Sequence, residues 1–438
     1  MKGMFDTLAK AFQLPDLRKK ILYTLLILAI YEVGGLIPVP GIDRVAFSNL
    51  ITNNWGQIGQ LMDIISGGGL YAATIFAMGI SPYINASIII QLLTVVIPAL
   101  ENLSKEGEAG RKKMTRITRY SAVGLAFLQS CLFCWSTRSA MVDSLPKPLN
   151  AALIVISFTV GTCLVVWLGE RINEKGIGNG VSLIIFAGIV TRLPSMLQNL
   201  IDKSTDVSGR INPVAFGLLV GLLLFIAVAL VSIVIIIFVV FVQNAERRIQ
   251  VQYSKKTVGR KLYGGQSSYI PLKVNQSGVM PVIFAMSILS LPSMIVTLFA
   301  QNKHNLVIDW FRDFTGSPWY YLFYFLFIIA FTFFYSLIQF NPIEISNNIQ
   351  KNGGFIPGIR PGKPTTEFIA KTANRLNWVD AFFLASVCLV PTLISALTDL
   401  NNVWFAGTSV LILTGVANDL VVQIEGQLVT RNYRGFLD

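Results

Sequence analysis

Ten separate stretches of this 438-residue chain are apolar for long enough to cross a bilayer, and that limits its fold more than any other feature. A span takes about 20 residues, because a helix rises about 1.5 Å per residue through roughly 30 Å of hydrocarbon. The stretches lie near 21–37, 72–100, 120–137, 151–169, 177–191, 213–242, 279–300, 318–340, 376–398 and 404–424. Inside lipid an unpaired peptide group finds no water, so each span must be helical. The sequence therefore predicts an all-α membrane protein of ten transmembrane helices. Only 13% of the residues are charged, against about 25% in soluble domains, which excludes an ordinary cytosolic globule.

The basic residues fix the orientation, since Lys and Arg in short loops are retained in the cytoplasm. On the side of the two chain ends lie 27 of the 35, and eight (Arg44, Arg138, Lys147, Arg192, Lys203, Arg210, Lys303 and Arg312) lie on or near the other side. Both termini are expected in the cytoplasm, with residues 1–20 an amphipathic lead rather than a cleavable signal. Topology and attraction to anionic lipid explain any one basic loop. Two loops exceed what topology requires. Residues 243–275 and 341–375 are long and rich in Gly, Pro, Arg and Lys, as expected of a folded protrusion that receives a large anionic or RNA-containing partner.

An internal repeat pairs the halves. Gly79-Ile80-Ser81-Pro82-Tyr83-Ile84 in the second span matches Gly278-Val279-Met280-Pro281-Val282-Ile283 in the seventh. Likewise Gly180-Val181-Ser182-Leu183-Ile184-Ile185 in the fifth matches Gly407-Thr408-Ser409-Val410-Leu411-Ile412 in the tenth. An offset of five spans is odd and inverts the second copy, as in many channels and transporters. Pro82 and Pro281 either loosen their helices or begin them. Each repeat ends on an isoleucine, and four such side chains facing one axis would close it by dewetting. Before span 2, residues 52–71 are moderately apolar but broken by Gly67, Gly68 and Gly69, which suits a re-entrant or movable element hinged at the glycines. An ordinary external loop fits the same composition.

Five segments, in order along essentially the whole chain, carry a resemblance. They are Gly79-Ile80-Ser81-Pro82-Tyr83-Ile84-Asn85-Ala86-Ser87-Ile88-Ile89-Ile90-Gln91-Leu92-Leu93, Gly176-Ile177-Gly178-Asn179-Gly180, Gln243-Asn244-Ala245-Glu246-Arg247-Arg248-Ile249, Pro271-Leu272-Lys273-Val274-Asn275 and Gly358-Ile359-Arg360-Pro361-Gly362. The sequence resembles the SecY family, the central channel subunits of the bacterial Sec protein translocon. The resemblance implies two inverted five-helix halves, 21–201 and 213–424, around an hourglass pore. An external connection at 202–212 joins them, and a cytoplasmic tail follows at 425–438. It implies a pore ring of Ile80, Ile84, Val181, Ile185, Ile283 and Ile412, with Val181 smaller than the isoleucine commoner there. A plug is implied at about 58–70, with Ile58, Leu61, Met62, Ile64, Ile65, Gly67, Gly68 and Gly69. A lateral gate between spans 2 and 7 would use Pro82, Asn85, Gln91, Pro281 and Met286. Motor and ribosome docking would use Arg247, Arg248, Lys255, Lys256, Arg360 and Lys363. The implied activity is passage of unfolded secretory polypeptides and lateral release of hydrophobic segments into lipid. The implied partners are SecE, SecG, the SecA ATPase, the ribosome, signal-sequence-bearing polypeptides and anionic lipids, at the bacterial inner membrane.

A secondary transporter of a small solute is the competing class, but it should place ionisable groups at mid-membrane. Here Glu32, Asp380 and Asp419 lie toward span ends, as interfacial or helix-packing groups. One histidine and four cysteines supply no metal centre, and no cofactor is expected. His304 has no nucleophile pattern beside it, so the chain is not read as an enzyme. Gly176 to Gly180 lacks the preceding strand and following lysine of a phosphate loop and reads as a turn into a helix. Energy for transport must come from a partner.

Overall fold

The computed structural model describes residues 12–52, 63, 66–142, 146–209, 214–253, 256–258, 261–263, 267–299, 310–311, 314, 317–398 and 407–434. The helices in chain order are α1 (Pro15–Gly34), α2 (Ser81–Val96), α3 (Pro98–Lys105), α4 (Glu108–Ser136), α5 (Lys147–Lys175), α6 (Gly180–Gly209) and α7 (Val214–Gln243). They continue with α8 (Met280–Phe299), α9 (Pro318–Gln339), α10 (Pro342–Lys351), α11 (Lys363–Thr398) and α12 (Gly407–Arg434). Each apolar stretch overlaps a helix, and the second overlaps two, α2 and the start of α3. Among the described residues four helices are long and apolar enough to cross a membrane alone, or five when α2 and α3, bent by 102° at Ile97, count as one span.

Two expectations are corrected. The chain is mostly helical but not all-α, because strands β1 (Glu246–Tyr253), β2 (Lys256–Val258), β3 (Lys261–Tyr263), β4 (Ser267–Lys273) and β5 (Gly354–Phe355) fold the two long loops. The second span does not start near residue 72. Residues 66–80 are turns and α2 begins at Ser81, so Pro82 occupies the first turn, where its missing N–H costs nothing. Pro281 takes the same place in α8, so neither proline loosens a formed helix. Helix α6 continues past Arg192 and Pro194 to Gly209, although its apolar part, Gly180–Ser195, is short.

The chain divides into two compact units, one of residues 1–199, 287–320 and 416–438, the other of 200–286 and 321–415. The core of the first joins Phe47, Phe133 and Phe158, with ring centroids 5.6 and 5.7 Å apart, to Ile51, Leu70 and Ile154. Small residues bring backbones close there. A Cβ at Gly161 would strike the carbonyl of Ile75, and one at Gly34 would strike the Phe76 ring, which stacks on Tyr31 at 5.6 Å. Asn150, 1% exposed, donates to the carbonyls of Gly41 at 3.1 Å and Val142 at 3.0 Å, pairing peptide groups that no helix serves.

In the second unit β1 lies between β4 and β5, antiparallel to both, with Glu246 opposite Lys273 and Gln252 opposite Phe355. Alternation explains the strand. Ile249 and Val251 point into a cluster with Leu272, Ile349, Ile356 and Ile369, while Arg248 and Gln250 face outward. The Asn341 side chain accepts from the Ile343 and Glu344 amides and starts α10, which packs its buried Ile349 on this sheet.

Asn150→Ala removes the side-chain donor to the Val142 carbonyl and one of two donors to the Gly41 carbonyl, which keeps the Val142 amide, and should cost about 0.5–1.5 kcal/mol. A fall in the thermal unfolding midpoint of the purified protein in detergent checks this, and an unchanged midpoint refutes it.

Candidate functional site

All six ring positions fall at the start of a helix. Ile80 precedes α2 and Ile84 lies one turn on, its amide donating to the Ile80 carbonyl at 3.1 Å. Val181 and Ile185 repeat that spacing at the start of α6, and Ile283 and Ile412 sit in the first two turns of α8 and α12. Residues four apart on a helix share one face. Ile80, Ile84, Ile185 and Ile412 are buried and Val181 and Ile283 half-buried. Ile80, Ile84, Val181 and Ile185 belong to one unit and Ile283 and Ile412 to the other.

The matched segments share local structure as well as sequence. Gly79 and Gly278 both have left-handed backbones, φ 53° and 64°, and each leads into a helix with proline second. Gly180 and Gly407 both open helices where a Cβ would strike a carbonyl of the preceding long helix, Gly169 of α5 and Val387 of α11. Only glycine allows that approach.

Side-chain acceptors fasten these helix starts. Asn179 Oδ1 accepts from the amides of Val181 at 3.1 Å and Ser182 at 3.4 Å, and Asn173 Oδ1 from Gly180 at 2.7 Å. Thr24 Oγ1 accepts from Ile177 at 3.0 Å and Gln423 Oε1 from Gly178 at 3.0 Å. The segment 176–179 is thus a turn into α6. Before α8, Asn275 Oδ1 accepts from the Gly278 amide at 2.7 Å, and the Ser277 hydroxyl donates to the fully buried Asp380 of α11 at 2.7 Å. Asp380 therefore ties α11 to the turn that leads into α8. Of the gate positions, Pro82 and Pro281 are buried, Asn85, Gln91 and Met286 half-buried. Gln91 Oε1 is buried and takes no hydrogen bond among the described residues.

Ile58, Leu61, Met62, Ile64 and Ile65 lie outside the described residues. The glycines after them are close-approach points rather than a free hinge. With φ 67° and 94°, Gly67 lies on Gly188 of α6 and Gly68 on the guanidinium of Arg192, while Gly69 lies on Thr74. Beside them Asp63 and Arg192 form an ion pair that composition did not reveal. The available signal was a lone acid in a glycine-broken segment and a lone base just past a span.

The sheet carries the basic face. Arg247 and Arg248 are exposed on β1 and Arg360 and Lys363 are exposed after β5. Arg248 donates to Glu246 at 2.6 Å and lies 4.9 Å from the Tyr269 ring centre, and that hydrogen bond and charge hold its guanidinium above its ordinary range. The Arg360 carbonyl accepts from the Thr365 hydroxyl at 2.8 Å and Gly358 and Gly362 have φ 82° and 99°, so a tight turn presents the exposed arginine side chain. Lys256 falls in β2, and Lys255 lies outside the described residues.

The chain is similar to known proteins over nearly its whole length. The family model described as SecY matches residues 74–421. The protein translocase subunit SecY of Streptomyces scabiei is 44% identical over 455 residues, covering 99% of this chain and all of that one. A solved protein-conducting channel is similar in fold at TM-score 0.63 and 18% identity, over 94% of this chain and 93% of that one. Sec61 in the canine ribosome-channel complex aligns at TM-score 0.57 and 16% identity over the same shares of the two chains.

Ser277→Ala removes the side-chain donor to a carboxyl group with no exposure, and should cost about 1–3 kcal/mol. Thermal unfolding of the purified protein measures it. Stability equal to wild type would show that the buried carboxyl group does not need the hydroxyl.

Proposed function

The chain belongs to the SecY family, and from that premise we propose how its residues work. It is a multi-pass membrane protein of the translocon and a protein-conducting channel, acting as a channel subunit rather than as an enzyme. The carrying observation is that the six positions matched to the family's ring are all aliphatic and all lie within the first two turns of a helix or directly before one. In our reading the ten spans form two inverted halves, 21–201 and 213–424, with Ile80, Ile84, Val181, Ile185, Ile283 and Ile412 around one constriction.

Such a ring suits its cargo. A translocating chain presents every kind of side chain, so its pore must touch without binding; aliphatic groups offer neither hydrogen bonds nor charge, and a dewetted ring stops ions. Selection follows from lateral opening beside Pro82, Asn85, Gln91, Pro281 and Met286. Each Leu, Ile, Phe or Val at the bilayer centre favours insertion by about 0.3–0.6 kcal/mol, so a signal sequence partitions into lipid while polar segments continue. Residues at about 58–70 plug the resting pore. The basic face of Arg247, Arg248, Lys255, Lys256, Arg360 and Lys363 receives the SecA motor and the ribosome at the cytoplasmic side of the bacterial inner membrane. SecE and SecG complete the assembly, and anionic lipid borders it. The canine relative being part of a ribosome-channel complex supports the docking face. A solute transporter is not favoured.

In a cysteine-free version, Ile84→Cys should form an oxidative crosslink with a stalled secretory chain carrying one cysteine. Protection of that thiol by a small solute, with no crosslink to any polypeptide, would instead support a transporter. Ile84→Asn or Ile283→Asn should raise export of a reporter with a defective signal, which unchanged export would refute. Arg360→Glu should lower motor-driven translocation into vesicles about tenfold or more at equal channel abundance; wild-type rates would remove Arg360 from the docking surface.

A further inference from the structure

Arg192 is one of the few basic residues placed away from the cytoplasmic set, and the structure supplies its partner. Its guanidinium pairs with Asp63, whose side chain is 2% exposed against 27% for the arginine. The acid belongs to a tight local knot. Asp63 Oδ1 accepts from the Tyr71 amide at 3.0 Å, and its carbonyl accepts from the Gly68 amide at 2.9 Å and the Ser66 hydroxyl at 3.1 Å. Gly68 lies so close to Arg192 that a Cβ would come within 2.9 Å of the guanidinium. On α6 the arginine completes a row, Val181, Ile185, Gly188 and Arg192, spaced four, three and four residues apart and hence on one helical face. The face that carries two ring positions therefore also holds the knot.

We propose that the Asp63–Arg192 pair is a charge latch that sets how strong a signal must be to open the channel, making these two residues specificity determinants of translocation. The proposal rests on the reading of 58–70 as plug. A carboxylate this buried is tolerated only beside a compensating cation. Moving the knot off α6 separates the two charges, and that separation adds to the barrier an engaging signal must overcome. The two ends are unequal. Removing the arginine strands a buried carboxylate where it lies, whereas removing the acid leaves a partly exposed cation that turns to water.

The test uses the purified assembly reconstituted in planar bilayers and proteoliposomes, reading resting ion conductance and translocation of one secretory protein with an intact and with a defective signal. Arg192→Gln should raise resting conductance and defective-signal translocation about tenfold, Asp63→Asn less, and the double neutral variant should fall back below Arg192→Gln. Arg192→Lys, which keeps the charge, should stay near wild type. Single variants indistinguishable from wild type, strictly additive effects in the double variant, or a lysine variant as leaky as the glutamine one would each overturn the latch. Should Arg192→Gln fail to accumulate, the Asp63→Asn and double variants decide alone, with the double no leakier than the single if the latch holds. A wild-type assembly that moves no protein with an intact signal would fail differently, by removing the channel reading itself.

Discussion

Everything in this structure follows from the absence of water around a peptide group in hydrocarbon. The long helices satisfy their own backbone. The segments that cannot, residues 37–43, 63, 66–80, 176–179 and 274–279, borrow acceptors and donors from side chains, either on neighbouring elements (Asn150, Thr24, Gln423, Asn173) or within the segment itself (Asp63, Asn179, Asn275). These are the segments that lead into the helix starts bearing the ring or lie beside them. The irregular backbone is thus where polar side chains concentrate, and it is also where the proposed function resides.

Energetics and function are linked through the same residues. A helix start held by a single asparagine or a serine–aspartate pair is well placed but not deeply anchored, because each bond contributes only about 0.5–1.5 kcal/mol net. Close approaches of Gly161, Gly180 and Gly407 to facing carbonyls add rigidity without polarity. The aliphatic positions between them then have a defined place while offering nothing to bind. In the second unit the opposite holds: a small sheet packed in a cluster of six buried aliphatic residues displays arginines on its open face.

Much of this was legible in the chain. Apolar length marked where the long helices lie, and the paired Gly-x-x-Pro segments marked two of the helix starts. The second span was misread at its start because residues 72–80 are as apolar as a span, and only Gly79 and Pro82 signal that the helix waits until Ser81. The loops read as a folded protrusion without strands, because an alternation as short as Arg248-Ile249-Gln250-Val251 is weak evidence for a strand in a segment rich in Gly, Pro and basic residues. Asp380 with Ser277 and Asp63 with Arg192 could not be read at all. A pair joined by tertiary packing leaves no periodicity in sequence, only an isolated charge whose partner the fold chooses.

Placing every ring position at a helix start has an electrical consequence. The N-terminal end of a helix carries roughly half a positive elementary charge from its unpaired amides. Thus α2, α6, α8 and α12 each surround their aliphatic side chains with positive potential. On the proposed reading of these positions as one pore ring, an anion would meet a lower electrostatic barrier there than a cation of the same size.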